Sequence, residues 1–202
     1  MLPEYLYNIT FDVEDTRTVL EPSIPESADD DEDKTIPRVC LSSSVESCVR
    51  AVATNKRSLY RGSTLIVRSV NTSTLDKCYL WTPDRLFIDN RVPDALETQE
   101  YWYCNTVQVD RKIYTVEDFD HEHVINWTCL QTEQVQNIAT KYCDISAHTF
   151  QSAFDIYQYV TRYLETDRKY EESDDFYEEI VELPWAQGIR ISNLRLKEVA
   201  YE

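Results

Sequence analysis

Apolar positions along this chain recur in two rhythms, and the change from one to the other divides it. Leu2 to Phe11 gathers leucine, tyrosine, isoleucine and phenylalanine into a short run that predicts a strand, and Arg38-Val39-Cys40-Leu41 predicts another. A helix should follow, because Ser43-Ser44-Val45-Glu46 offers a capping box and Val45, Cys48, Val49 and Val52 form an apolar stripe. Residues 63–70 (STLIVRSV), 77–81, 100–107 and 108–114 are rich in β-branched and aromatic side chains, so the middle of the chain reads as sheet. From Thr132 the spacing turns helical through Val135, Ile138, Ala139 and Tyr142. A longer helical stretch passes through Phe150, Phe154, Tyr157 and Leu164, and Pro184 stops whatever precedes it. Residues 189–196 return to alternation and predict a strand or arm that rejoins the body. The expected class is α+β: a body over 1–130 with an insertion at about 14–36, then a helical extension over 131–202.

Charge changes this picture in two places. The 202 residues carry 37 acidic and 20 basic side chains, a net charge of −17, which disfavours a direct nucleic-acid binder or an anionic-membrane binder. Residues 1–34 hold 11 acids and two bases, and 163–182 hold nine acids and two bases, so two short segments carry almost the whole excess. Asp29, Asp30, Asp31, Glu32 and Asp33, flanked by Pro22, Pro25 and Pro37, read as an acidic loop that cannot bury apolar area. In the second segment Glu171, Glu172, Asp174, Asp175, Glu178 and Glu179 are mixed with Tyr163, Tyr170, Phe176 and Tyr177. Rings set among carboxylates give a basic groove both charge complementarity and apolar anchors, as a nucleic-acid strand does. A solvated helix whose rings pack inward is the competing reading of the same residues.

Candidate chemistry is thin. Only Gly62 and Gly188 occur, so neither G-x-G-x-x-G nor a P-loop can be written, and P-loop NTPases and ordinary Rossmann enzymes are excluded. No apolar run approaches the roughly 18–20 residues that span a bilayer. The opening MLPEYLYNIT lacks a charged region followed by an apolar one, so the expected compartment is the cytoplasm and the six cysteines are expected reduced and buried. His121, His123, Cys129, Cys143 and His148 lack the paired spacing of a zinc site, and no metal is expected. Asp118, Asp120 and Glu122 read as an exposed acidic turn. No G-x-S-x-G elbow exists to make a serine nucleophile.

Three further pieces stand in order. Leu6-Tyr7-Asn8-Ile9-Thr10 resembles the opening strand of ADP-ribosyltransferase-like domains of phage-type small proteins. Residues 36–46 resemble the strand and serine-bearing helix start that line the family's nicotinamide pocket, and 92–102 is similar to the turn and late strand that supply its glutamate. The resemblance covers residues 5–109 and implies a mixed, split sheet with flanking helices and a cleft, with NAD as the cosubstrate of an active member. It puts Glu100 in the catalytic role and Asn8, Ser42 and Ser43 against the cofactor. Asn8 stands where the family places a histidine, so the expectation is a catalytically degenerate fold used for binding, without a cofactor. The expected function is that of a phage- or mobile-element-type counter-defence protein in the host cytoplasm. Its acidic surfaces would inhibit a basic host protein, such as a nuclease or another DNA-binding defence enzyme. An active mono-ADP-ribosyltransferase or NAD hydrolase using Glu100, and a structural or assembly protein, are the alternatives.

Overall fold

Nine strands and six α-helices form over the residues that the computed structural model describes, 2–25, 32–54, 59–183 and 186–199. In chain order the first part runs β1 (Tyr5–Thr10), β2 (Val19–Leu20), β3 (Val39–Ser42), α1 (Val45–Thr54), β4 (Thr64–Asn71), β5 (Leu80–Trp81), α2 (Pro83–Ile88), α3 (Ala95–Thr98), β6 (Glu100–Tyr103) and β7 (Val107–Gln108). The rest is β8 (Asp110–Ile125), α4 (Thr132–Ala139), α5 (Ala153–Thr166), α6 (Tyr170–Val181) and β9 (Gln187–Glu198). The class is α+β. Seven strands form one sheet in the order β5-β6-β3-β1-β4-β8-β9, and β2 pairs with β7 in a separate ladder.

The expectation of mixed strand directions is corrected, because every pairing with a register is antiparallel. The β3–α1–β4 crossover does make β3 and β4 parallel, yet β1 lies between them and pairs with both. The cross-strand contacts Lys112 to Glu198, Asn193 to Asp118 and Arg190 to Glu122 set β9 antiparallel to β8 as well. The acidic turn expected at 118–122 is therefore strand, with Asp118 facing Arg195 and Glu122 facing Arg190 of β9. Residues 77–79, expected as strand, form a 3-10 turn capped by Asp76, which accepts from the Cys78 N–H at 3.1 Å.

Side-chain alternation sorts the core of the first unit, residues 1–122 and 189–202. Leu6, Val39, Leu41, Val70, Tyr101 and Tyr103 pack in a cluster on one face, whereas Leu65 and Val67 turn to the other face with Val49 of α1. Ser44, one residue later than the predicted box, caps α1 by accepting from the Ser47 N–H at 3.0 Å. All six cysteines are free thiols; Cys48 is buried, Cys78 is exposed and the other four are half-buried, the Cys40 sulfur being turned inward.

The second unit is residues 123–188, and the chain enters it along β8 and leaves it along β9. Its core joins Val135 and Ile138 of α4, Ile156, Val160 and Leu164 of α5, and Phe176 and Ile180 of α6. The spacing 156, 160, 164 is the amphipathic helical stripe, and Ser152 caps α5 by accepting from Asp155 N at 3.1 Å. Glu171 and Glu172 occupy the first turn of α6, where the helix dipole favours carboxylates.

Candidate functional site

Strands β1 and β3 meet where Tyr7 faces Ser42, and beyond that pair they part. Side chains span the gap. The Asn8 Nδ2 donates to the Cys40 carbonyl at 3.2 Å, and its Oδ1 accepts from Arg68 Nη1 at 3.1 Å from directly across β4. Arg68, buried with 2% of its surface exposed, forms an ion pair with Asp15 at 2.6 Å. Asp15 also accepts from Arg17 Nη2 at 2.5 Å, and the Arg17 hydrogen bond, with Arg68 behind it, holds its carboxyl well below the usual carboxylate range.

The other wall is built on Arg38. Its buried guanidinium donates to the Asp33 carbonyl at 2.6 Å and to Glu32 at 3.0 Å, and lies 3.8 Å above the centre of the Trp102 ring. Trp102 Nε1 in turn donates to Glu100 Oε1 at 2.7 Å. The pocket between these walls has a volume of about 360 Å³, and Asn8, Arg38, Cys40, Arg68 and Glu100 line it.

The geometry settles what these groups can do. Burial pushes the Glu100 carboxyl up, opposed by the hydrogen bonds from Trp102 and Cys40 and by the Arg38 charge. A carboxyl held up in this way can carry a proton nearer neutral pH than an exposed glutamate does. Burial and the neighbouring Glu100 push the Cys40 thiol far above its usual value, and burial pushes Cys48 up to about 12, so neither supplies a thiolate nucleophile at neutral pH.

Of the residues assigned to cofactor and catalysis, Asn8 and Glu100 come to this pocket. Ser42 is buried opposite Glu100 in the β3–β6 ladder and, like Ser43, does not line it, because β1 is still paired with β3 there. Sequence reasoning missed Arg38, Arg68 and Asp15. The signal for Arg68 was present: an arginine inside the apolar run STLIVRSV must be paired within the fold.

The acidic segments separate into two kinds. Asp29, Asp30 and Asp31 lie outside the described residues. Glu32 is taken up by Arg38, and Asp33 accepts from the Thr35 N–H and hydroxyl, both at 2.6 Å, and pairs with Arg91. The Thr35 hydrogen bonds, with Arg91, lower the Asp33 carboxyl to about 2. On α6, by contrast, Glu171, Asp174, Asp175 and Glu178 are exposed with no ion-pair partner among the described residues. Glu172 pairs with Lys169, and Glu179 with Lys141 while accepting from the Tyr142 hydroxyl at 2.7 Å. Phe176 is corrected from a partner-facing ring to a core residue: it is fully buried against Tyr142 and Tyr157, because it falls on the same helical stripe as Ile180. The exposed rings are Tyr170 and Tyr177 on α6, with Phe154 and Tyr163 on α5.

Among the described residues no group of three or more His, Cys, Asp or Glu is placed to hold a metal ion, and no helix is long and apolar enough to cross a membrane. No protein-family model matches the chain, and no curated protein or solved structure matches it either.

Proposed function

We propose that this protein binds a basic protein partner through the outer face of α5 and α6. The observation that carries this reading is the set of four exposed α6 carboxylates without ion-pair partners among the described residues, on the same helix as the exposed rings of Tyr170 and Tyr177. The second unit holds 12 acidic and four basic side chains, so its field steers a cationic surface toward it. A partner that handles nucleic acid carries a groove of the matching sign, and occupying that groove inhibits it; counter-defence by a phage or mobile element is the role this fits. The test is competition with DNA for purified DNA-binding nucleases at low and high salt. Inhibition that falls with salt, and is lost when Glu171, Asp174, Asp175 and Glu178 become their amides, is expected. Equal behaviour of the wild type and the amide variant ends the reading.

A second reading is favoured by Asn8 and Glu100 lining one pocket. It is an NAD-binding cleft of ADP-ribosyltransferase type in which Glu100 orients a ribose hydroxyl. Against full activity stands the Asn8 amide, already engaged on both sides by Cys40 and Arg68. Titration of NAD into the wild type and Glu100→Ala decides it: binding that the substitution removes supports a cofactor site, and absence of binding to either excludes it.

A further inference from the structure

Four rings run in contact across the second unit. Trp127 lies 5.2 Å from Phe154 and 4.8 Å from Tyr157 between ring centres, and Tyr157 lies 6.4 Å from Tyr177. Trp127 and Tyr157 are half-buried, whereas Phe154 is 39% and Tyr177 45% exposed, so the strip is anchored in the core and open at both ends. Carboxylates edge it. Asp155 follows Phe154, Asp174 precedes Tyr177 by one helical turn, and Glu178 follows it; all three are exposed, with no ion-pair partner among the described residues.

The same combination of ring and carboxylate occurs twice in the first unit, there with a guanidinium between them. Arg85 lies 3.8 Å over Trp81 and reaches Asp89 at 3.5 Å, and Arg38 lies 3.8 Å over Trp102 and reaches Glu32 at 3.0 Å. Arginine suits this chemistry better than lysine. Its planar, weakly hydrated cation stacks on a ring face while its edge donates two parallel hydrogen bonds to a carboxylate, whereas an ammonium keeps its water and acts as a point charge.

We infer that the strip Trp127–Phe154–Tyr157–Tyr177 takes arginine side chains, so that the segment docking on this face is rich in arginine rather than lysine. This rests on the docking reading above and adds to it a choice between two cations that net charge alone does not distinguish. Asp174 and Glu178 supply the forks that accept the guanidinium edge, and Tyr177 and Phe154 supply the faces.

The experiment uses the full chain and two synthetic peptides of equal length and charge, one built from Arg-Gly repeats and one from Lys-Gly repeats, titrated at near-physiological salt. The arginine peptide is expected to bind about tenfold more tightly, the ratio that one well-placed stack with its carboxylate provides. In the Phe154→Ala, Tyr177→Ala double variant the ratio should fall to about twofold or less with the lysine peptide unaffected, while Tyr177→Phe keeps it. Asp174→Asn with Glu178→Gln should weaken both peptides. Equal affinities in the wild type, or a preference that survives loss of both rings, overturn the inference and leave the docking reading standing. Binding of neither peptide overturns both. Far-UV circular dichroism of each variant confirms that the second unit remains folded.

Discussion

Two carboxylates of the first unit, Asp15 and Asp33, turn inward and hold arginines, whereas four on α6 turn outward and meet no cation among the described residues. Asp15, with 5% of its side chain exposed, ties its loop to β4 through Arg68, and Asp33, with 6%, ties its loop to the α2–α3 connection through Arg91. Glu171, Asp174, Asp175 and Glu178 are exposed, with no ion-pair partner among the described residues. One residue type therefore does two kinds of work in one chain, and position relative to a buried arginine decides which. Structural acids are costly to remove and invisible to a partner; surface acids are cheap to remove and available to one.

Substitutions can break that contrast, beginning where the effect is greatest. Arg68 is one of two cations on the buried Asp15 and a donor to Asn8, so Arg68→Met should destabilise the protein by about 3 kcal/mol in denaturant unfolding, with Arg17 still facing Asp15, and free the Asn8 Oδ1. Phe176→Ala should cost a similar amount, about 3–5 kcal/mol, whereas Tyr177→Ala next to it should shift the unfolding midpoint little, separating the core ring from the surface ring on one helix. Asp33→Asn should cost about 2 kcal/mol at neutral pH. The Asp33 carboxyl lies lower in the folded protein than in the unfolded chain, so its contribution is present above the unfolded value and disappears as the pH falls through about 2. The wild type and Asp33→Asn should therefore converge in stability in acid.

Glu100 should behave in the opposite sense. Burial raises its carboxyl, so its favourable share is complete at low pH and is lost as the pH rises through the folded value. Glu100→Gln should leave stability at neutral pH unchanged or improved, while removing any proton transfer at the pocket; thermal unfolding across pH checks the sign. The smallest stability effect belongs to the four α6 amide substitutions, each within about 0.5 kcal/mol, and a loss much beyond this would mean that these acids are structural after all.

Local spacing made β1, β3, β4, α1, α4 and α5 readable in the sequence, since each buries a face whose period shows in its own residues. The length of β8 was not readable. Its second half, with Asp118, Asp120 and Glu122 among few apolar positions, is strand because Arg190, Asn193 and Arg195 of β9 lie opposite, some 70 residues further along the chain. Asn8 and Glu100, which line the pocket, were singled out only by the resemblance, and the pocket's arginine walls were not legible at all. A buried arginine declares itself by a partner from elsewhere, and nothing near residue 68 points to Asp15. The division of labour among the acids was hidden for the same reason, because Glu32 and Asp33 carry the same charge as the α6 acids and differ from them in what they meet.

The last strand of the sheet follows the second unit in the chain, and this sets an order of assembly during synthesis. The helices of residues 132–181 leave the ribosome before β9 does, so the second unit can consolidate around Phe176 while β8 still presents a bare edge. That edge carries Glu117, Asp118, Asp120 and Glu122, whose mutual repulsion discourages pairing with another nascent chain until the cations of β9 arrive.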